Sequence, residues 1–538
     1  MKETLYYNGN ILTMDEHYNN PEAVLVRDGK IAAVGAYEEF KGTENQIDLK
    51  GATMAPGFID GHSHISMAGN FPSFYPPPAG VIDTLETLIR EVKKAIKEAD
   101  VQPGRWFMGM GYDNAVFPDK KHPTCKQLDE ISTEVAIVMT HISGHVAVLN
   151  SKALELAGVT KDSVSPEGGV IVKDPVTGEP TGLLEENAMN AVMVAAKEIM
   201  PTPQKAVEGL MKAQDLYASF GLTTVQDGLS SPGIPDLLRG LAQAGKLKLD
   251  IIGYAPADPL SKDLENVDSF DTSYNNHFRI GGAKFFLDGS PQAKTAWLSQ
   301  PFYVVPDGYD KDYCGYPRYK DEKVFEVMKT CLQNGWQVLV HCNGDAACEQ
   351  FIVQYERALK ETGVKKDLRP VMIHAQTVRD DQLDRMKKIG MVPSFFHDHT
   401  YYWGDYHLAS VLGPERGRRI SPLKAALDRG ITFTTHQDTP VVTPNIIFAI
   451  HNSVNRITRD GQEIGPEFCI EPMDAMRAVT IWGAIQYHEE DSKGSITPGK
   501  LADFVILDKN PLTVPKKEIK DIKVKMTIKE DTVIYKAE

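Results

Sequence analysis

The residues with the clearest chemical potential are two histidines at the end of a short apolar run, Met54-Ala-Pro-Gly-Phe-Ile-Asp-Gly-His-Ser-His64. Side chains two residues apart on a strand leave on the same face, so the two imidazole rings would lie together. Imidazole is a common ligand of zinc and of other transition metals. Because a His-x-His pair also occurs in ordinary turns and on surfaces, a metal site requires further ligands elsewhere in the chain.

The elements that could position such ligands are apolar, β-branched runs that alternate with helical patterns. Eight candidate strands span residues 55–59, 222–226, 249–254, 280–287, 337–341, 371–374, 391–395 and 431–435. This alternation is typical of parallel strands that are buried on both faces and joined by crossover helices. Eight such units predict an α/β fold of the (β/α)₈ TIM-barrel type, with the active site at the carboxyl ends of the strands.

Potential metal ligands occur at several of these strand ends. They are His62, His64, Lys284, His341, His374 and Asp438. Each has an ordinary explanation when taken alone, because a strand-end histidine can be a core residue and an aspartate can cap a helix. Their coincidence at the same ends of separate strands predicts that they converge on one rim of the barrel.

The two ends of the chain and one long interval do not fit the barrel pattern. Asp28-Gly29 between residues 23–27 and 30–34 predicts a two-residue hairpin, and the last segment is also strand-like with Pro and Gly turns. We therefore expect residues 1–53 and 488–538 to form one small β-sandwich around a barrel of residues 54–487. The interval 65–221 is too long for one crossover and predicts an inserted subdomain after the first strand.

Composition narrows the class of partner. The formal net charge of −15 disfavours nucleic acids and anionic membranes, so a small-molecule substrate is expected. The chain has no uninterrupted apolar stretch of membrane-spanning length and no apolar leader segment, which predicts a cytoplasmic protein. Its six cysteines include no C-x-x-C motif and indicate neither a disulfide framework nor a zinc ribbon. A homodimer is the default expectation for a soluble oligomer.

Several longer motifs accompany the candidate ligands. They are Gly144–Leu154, Gly182–Glu186, Gly221–Asp227, Lys284–Ala296, His341–Asp345, His374–Gln376 and Pro498–Asp503. Together with the order of the ligands, these stretches resemble the amidohydrolase superfamily, and within it the family 3 branch of N-substituted formamide deformylase-like hydrolases. The resemblance covers nearly the whole chain.

The resemblance implies a distorted (β/α)₈ barrel, a β-sandwich from both termini, and hydrolysis of a non-peptide C–N bond in an amide, an N-substituted formamide or a cyclic amide. It implies that His62, His64 and Asp438 bind one divalent metal ion and that His341 and His374 bind a second. Lys284 would bridge both ions as a carbamate, because CO₂ addition converts a cation into an anionic oxygen ligand.

The expected chemistry is activation of a water molecule by the metal centre, with Asp438 as the base that orients the water and then protonates the leaving nitrogen. Zinc best suits imidazole and carboxylate ligands, and manganese, iron or cobalt would also fit.

Some residues depart from the family pattern or have no assigned role. His436 stands where the family more often has a small residue, and could be a further ligand, a substrate contact or a packed strand end. Pro291-Gln292 replaces an expected leucine and glycine, which leaves substrate contacts in this segment open. Substrate contacts are predicted for His145, in the insert, and for His397 or His399, which follow the seventh strand.

Two other functions compete with this prediction. A mononuclear deaminase acting on an amino-substituted heterocycle would use the histidine pair, one later histidine and Asp438, but would not need Lys284. A catalytically silent barrel should have lost ligands, and none of the six is missing from this sequence.

Overall fold

The structure is a computed structural model that describes residues 2–69, 82–197, 201–257, 273–306 and 308–538. Residues 71–78, whose four prolines predict turns, lie outside the described residues. At the centre is a sheet of eight parallel strands, one for each strand predicted from the sequence. In chain order, barrel strands 1 to 8 are Phe58–Ile59, Leu222–Asp227, Asp250–Pro256, Phe278–Phe286, Gln337–Cys342, Val371–His374, Val392–Phe395 and Thr434–Thr435.

The central sheet curls until its two edge strands approach each other. Each strand is hydrogen-bonded to its neighbour in chain order, from barrel strand 1 to barrel strand 8. Just beyond the two edge strands, Asp438 N donates to His62 O at 3.3 Å and His64 N donates to Thr439 O at 2.8 Å. This arrangement is that of a distorted TIM-like barrel.

Helices connect and cover the strands of the barrel. The longer ones are Pro203–Ser219, Ile234–Gln243, Asp321–Asn334, Asp345–Thr362, Asp380–Lys388 and Ile446–Asn455. Shorter helices include Leu423–Asp428, Pro472–Ala478 and Ile481–Gln486. Their apolar faces pack on the outward-facing strand residues in one large cluster that includes Leu249, Val340 and Phe351. In the described ranges, none of the helices has both the length and the apolar character needed to cross a bilayer.

The first predicted barrel strand is divided in two. Thr53–Pro56 pairs with Phe504–Leu507 in a separate sheet, and only Phe58–Ile59 belongs to the barrel. The break falls at Pro56-Gly57, because proline lacks an N–H and Gly57 packs so tightly that a Cβ there would lie 2.4 Å from Thr223 Oγ1. The predicted strand at 431–435 is likewise reduced to Thr434–Thr435.

Strands from both ends of the chain form two further sheets. One contains Glu3–Tyr7, Ala23–Arg27, Lys30–Gly35 and Gln46–Asp48, and the other contains Asn10–Ile11, Thr53–Pro56, Phe504–Leu507, Val524–Lys529 and Thr532–Lys536. A shared apolar cluster joins them, with Tyr6 edge-to-face on Phe504 at 5.4 Å between ring centroids. The predicted hairpin is present, and Asp28 (φ 47°) and Gly29 (φ 77°) have the positive φ values that its two-residue turn requires.

Between barrel strands 1 and 2 lies another five-stranded sheet. Its strands are Trp106–Tyr112, Ala136–His141, Val146–Leu149, Gly169–Lys173 and Pro180–Glu186, flanked by helices Leu85–Glu98, Cys125–Asp129, Ser151–Ala157 and Asn190–Ala195. We refer to this part as the insert. The turn that connects its second and third strands carries His145 to the mouth of the barrel, and the last strand ends there at Glu186.

Candidate metal centre

All six predicted ligands line one cavity at the carboxyl ends of the barrel strands. The cavity has a volume of about 420 Å³, and its lining includes His62, His64, Lys284, His341, His374 and Asp438. The barrel topology brings them together because parallel strands present their carboxyl ends on the same side. Residues separated by more than 370 positions in the chain thus meet at one site.

The first group of ligands comes from the two edge strands. His62 Nε2 lies 3.5 Å and His64 Nε2 lies 3.3 Å from Asp438 Oδ1, so the three donors could hold one ion. Burial alone would raise the pKa of Asp438, but contact with His64 and the nearby cationic groups hold the pKa below its usual value. Asp438 is therefore an anionic ligand and a potential proton acceptor.

Lys284, near the end of barrel strand 4, is almost completely buried. Burial lowers the pKa of its amine to about 7. Its Nζ lies 3.0 Å from His62 Nε2 and 4.8 Å from the centre of the Phe286 ring. A neutral lysine amine at this position is a nucleophile that can add CO₂, whereas an ammonium ion cannot.

The second group consists of His341 and His374, on barrel strands 5 and 6. Their ring centroids are 4.7 Å apart. Burial, reinforced by neighbouring histidine and lysine groups, holds the pKa of both imidazoles well below the usual value. Both rings are therefore neutral near pH 7, the state in which imidazole binds metal.

In three of the predicted histidine ligands, His62, His341 and His374, Nδ1 contacts a partner on the side away from the cavity. His62 Nδ1 contacts Gln226 Oε1, and His341 Nδ1 lies 3.1 Å from Asp288 Oδ1. His374 Nδ1 lies 3.1 Å from His436 Nε2. With the proton on Nδ1 in each ring, all three Nε2 lone pairs point toward the cavity, which is how outer-shell partners orient metal-binding histidines.

The arrangement explains His436, for which the sequence left three roles open. His436 is fully buried, and burial lowers its pKa to about 3. Its Nδ1 lies 2.8 Å from Ser394 Oγ, while its Nε2 faces His374. His436 therefore supports His374 from behind, and it is not among the residues that line the described cavity.

His145 lies beside the second group. Its Nε2 is 3.0 Å from His341 Nε2, and its Nδ1 is 2.9 Å from Glu186 Oε2. Burial alone would raise the pKa of Glu186, but His145 and Arg318 hold the pKa below its usual value. The structure thus brings His145 to the site predicted for it, close enough to reach either a substrate or a metal ion.

The structure separates the other two histidines that were predicted to contact substrate. His397 is buried behind the cavity, where its Nε2 lies 2.6 Å from Ala449 O and 2.8 Å from Ser453 Oγ. The described cavities do not include His397 in their walls. His399 does line a small adjoining chamber and pairs with His407 at 3.1 Å.

That chamber differs sharply from the main cavity. The main cavity has apolar walls, among them the side chains of Met67, Met110, Met189, Met193, Leu229, Pro232 and Phe286. The chamber has a volume of only about 10 Å³ and is lined by amides of Gln292, Asn343 and Gln376. Within the described part of the chain, Gln292 Oε1, Asn343 Oδ1 and both amide atoms of Gln376 have no hydrogen-bond partner. The two spaces share His145, His341, His374 and Asp438 as a common wall.

Sequence reasoning did not identify the residues that hold the ligands in place. These are Gln226, Asp288, Glu186 and Ser394. Gln226 and Asp288 could have been found, because polar residues at the carboxyl ends of barrel strands are unusual unless they face the site. Asp288 faces His341 and also accepts hydrogen bonds from the backbone N–H groups of Asn343 and Gly344. Burial raises the pKa of Asp288 to about 7.

A second cluster of potential ligands lies at the opposite end of barrel strand 3. Asp250, His277 and Glu530 have donor atoms within 4.8 Å of one another. Two buried ammonium groups already neutralise Asp250, with Lys493 Nζ at 2.5 Å and Lys529 Nζ at 3.1 Å. Asp250 is therefore the buried centre of an ion-pair network that ties barrel strand 3 to the C-terminal segment.

An eight-stranded barrel with histidines, a buried lysine and an aspartate at the carboxyl ends of its strands defines the class of metal-dependent barrel hydrolases. Comparison with known proteins agrees with this class. Residues 45–535 match the amidohydrolase family, and the chain belongs to that family, which confirms the resemblance seen in the sequence.

Similar proteins span nearly the full length of the chain. N-substituted formamide deformylase of Arthrobacter pascens is 27% identical over 99% of this chain and 98% of its own length. Protein LONG AFTER FAR-RED 3 of Arabidopsis thaliana is 30% identical over 94% of this chain and 87% of its own length.

Two solved structures, described as uncharacterized metal-dependent hydrolases, have similar folds. The one from Pyrococcus horikoshii OT3 has a TM-score of 0.73, is 24% identical, and aligns over 96% of this chain and 99% of its own. The one from Pyrococcus furiosus has a TM-score of 0.70, is 25% identical, and aligns over 95% of this chain and 100% of its own. These two structures show the fold, whereas the family match and the similarity to the deformylase support a hydrolase acting on C–N bonds.

Proposed function

We propose that the protein is a binuclear metal-dependent amidohydrolase that cleaves the non-peptide C–N bond of a small amide. The observation that carries the proposal is the convergence of six potential ligands on one cavity, with three imidazole Nε2 atoms directed into it by partners on the far side. Such outer-shell support is characteristic of metal sites. A deaminase would leave the buried Lys284 without a role.

The residues fit a pair of divalent cations. Within the described residues, Asp438 Oδ1 is buried without a hydrogen bond of normal geometry, and the Nε2 atoms of His62 and His64 lie 3.5 Å and 3.3 Å from it, as expected for three ligands of one ion. His62, His64 and Asp438 would hold one ion, His341 and His374 the other, and Lys284, as a carbamate, would contact both. Zinc is the proposed metal, because neutral imidazole and carboxylate suit it and hydrolysis requires no redox change. When bound, such ions supply Lewis acidity that polarises a carbonyl and lowers the pKa of water.

The chain's own groups complete the reaction. The Asp438 carboxylate accepts a proton from the attacking water and passes it to the amide nitrogen as the C–N bond breaks. The apolar wall around Met110, Met189 and Met193 lowers the polarity on one side of the site, which strengthens electrostatic interactions there.

The unequal volumes of the main cavity and the small chamber support a narrower class of substrate. With the reacting carbonyl at their shared wall, the acyl side of the amide would enter the chamber of about 10 Å³, and the amine side would occupy the cavity of about 420 Å³. A space of about 10–15 Å³ holds little more than one water molecule. We therefore propose N-substituted formamides with an apolar amine substituent as the substrate class.

Metal analysis tests the binuclear centre. We expect about two transition-metal ions per chain in the wild type and one or fewer in Lys284→Ala, with partial rescue by a short carboxylic acid. Lys294→Ala is the matched control, because Lys294 is also buried but its Nζ contacts Val304 O and Ser410 Oγ instead of the ligands. One ion per chain that is unchanged in Lys284→Ala would overturn the binuclear proposal and favour the deaminase.

A matched substrate series tests the orientation of the amide. N-hexylformamide, N-hexylacetamide and N-hexylpropanamide differ only on the acyl side, by one methylene at each step, and the released amine can be measured for each. Each added methylene must displace buried groups, so kcat/KM should fall at least about tenfold per step. Equal rates across this series would refute the small acyl site. As a control, N-methyl-, N-butyl- and N-hexylformamide vary only the amine side, where kcat/KM should rise with chain length.

A further inference from the structure

We propose that His145, which belongs to the insert, is an additional metal ligand beside His341. The proposal rests on the metal centre described under Proposed function and extends it beyond the six barrel ligands. His145 lies in the turn between insert strands Ala136–His141 and Val146–Leu149, where Gly144 has a φ of 74°. This turn places the imidazole of His145 against that of His341, with ring centroids 4.6 Å apart.

The orientation of the His145 and His341 rings favours a cation between them. His341 Nδ1 lies 3.1 Å from Asp288 Oδ1 and His145 Nδ1 lies 2.9 Å from Glu186 Oε2, so we assign the proton of each ring to Nδ1, where it can be donated to an oxygen. The two Nε2 atoms then direct lone pairs at each other across 3.0 Å. Asn343 Nδ2 donates to Gly289 O at 2.8 Å and also lies 3.2 Å from His341 Nε2.

The separation matches shared coordination of one ion. Two nitrogen ligands at about 2.0–2.1 Å from a tetrahedral zinc ion lie about 3.3 Å from each other. The observed 3.0 Å is close to this value. A metal ion between the rings would convert the opposed lone pairs into two coordinate bonds.

The support behind His145 is as well built as that behind the barrel ligands. Glu186 is buried, accepts a hydrogen bond from Thr295 Oγ1 at 2.9 Å, and lies 3.6 Å from Arg318 Nη1. Its backbone has φ 49° and ψ −122°, a costly conformation for a residue with a side chain. Such strain persists where the surrounding contacts hold a residue in a required position, here behind His145.

A ligand from the insert would couple metal binding to the shape of the substrate cavity. The insert also supplies Met110, Met189 and Met193 to the cavity wall. An ion held by His145 and His341 would join the insert to barrel strand 5. Loading the metal would then fix the apolar wall as well as the reactive centre.

Cobalt binding tests this assignment without relying on turnover. Metal-free wild type, His145→Ala and His399→Ala would be titrated with Co²⁺ against a chelator, with visible absorption recorded for each. His399 is the control, because it is buried and lines the small chamber as His145 does, but it pairs with His407 at 3.1 Å. We expect His145→Ala to bind the second cobalt ion at least about tenfold more weakly and to have altered cobalt absorption bands. His399→Ala should match the wild type in both.

Glu186→Gln provides a second variant that keeps His145 in place. It should weaken the second cobalt site by about tenfold as well, because the orienting carboxylate is lost. Unchanged cobalt affinity and absorption in both variants would refute the assignment. If kcat/KM fell at the same time, His145 would be a substrate contact only. A wild-type protein that binds no cobalt would refute the metal centre itself, an outcome separate from the failure of His145 alone.

Discussion

Replacing His436 by leucine should weaken metal binding without removing any metal ligand. His436 Nε2 is the partner of His374 Nδ1 at 3.1 Å, in a fully buried setting. When His374 Nε2 binds a metal ion, the proton of the ring must lie on Nδ1, and His436→Leu leaves that N–H without an acceptor. Without metal, the proton can move to Nε2, which faces the cavity, so the cost falls on the metal-bound state.

The size of the effect follows from that single hydrogen bond. A buried donor left without a partner costs about 1–3 kcal/mol. At about 1.4 kcal/mol per tenfold change in equilibrium constant, the affinity for the metal should fall about 5- to 140-fold. This interval overlaps the roughly 10- to 100-fold losses typical of outer-shell substitutions in metal sites.

Chelator competition with zinc measures the affinity, and thermal unfolding of the chelated proteins measures the structural cost. His407→Leu is the control, because His407 is equally buried and its Nε2 lies 3.1 Å from the Nδ1 of another histidine, His399, outside the ligand set. Both variants should lose similar stability in the metal-free form, and only His436→Leu should lose zinc affinity. Equal zinc affinity in the two variants would refute the reasoning.

Three other predictions concern the base, the ion-pair network and the hairpin. Asp438→Asn should lower kcat by about 100-fold or more while metal content stays near the wild-type value, since an amide can coordinate but cannot accept the proton; retained turnover would exclude Asp438 as the base. The hydrogen bond to Asp250 raises the pKa of His277 above 6.5, so His277 stabilises the fold below that pH and loses this effect as pH rises through the folded pKa. His277→Gln should therefore destabilise the protein more at pH 6 than at pH 9 in denaturant melts, and a pH-independent difference would contradict this. Gly29→Ala should lower the free energy of unfolding by about 1 kcal/mol, because φ at this position is 77° and the added Cβ would lie 3.3 Å from Glu530 O. An unchanged melting midpoint would show that the turn accommodates a side chain.

The barrel could be predicted from the sequence because buried parallel strands produce continuous apolar runs. Barrel strand 6 was predicted with its observed bounds, Val371–His374. Barrel strand 1 was not, because the apolar run at 55–59 continues through Pro56-Gly57 while the backbone changes sheets there. Hydropathy indicates that a residue is buried but not in which sheet it lies. Both Thr53–Pro56 and Phe58–Ile59 are buried, although they belong to different sheets.

The candidate site could be predicted where ligands follow strands, and not where contacts depend on loop geometry. His397 and His399 have the same spacing as His62 and His64, and both pairs follow a barrel strand. His399, however, begins a helical turn, and the rings of His397 and His399 contact different partners. The support of His374 by His436 spans 62 residues, and that of His145 by Glu186 joins two insert strands. Such pairings depend on strand register and turn geometry, which spacing along a single sequence does not encode.

The two edges of the barrel meet at the proposed metal site. The edge strands contain only two residues each, and their nearest backbone hydrogen bonds run from Asp438 to His62 and from His64 to Thr439. An ion held by His62, His64 and Asp438 would therefore cross-link the two edges of the sheet, at the point where the strands are shortest. Metal binding would then also stabilise the closed form of the barrel. Hydrogen exchange in the metal-free protein should be fastest along this seam, far from the ion-pair network that secures the opposite end.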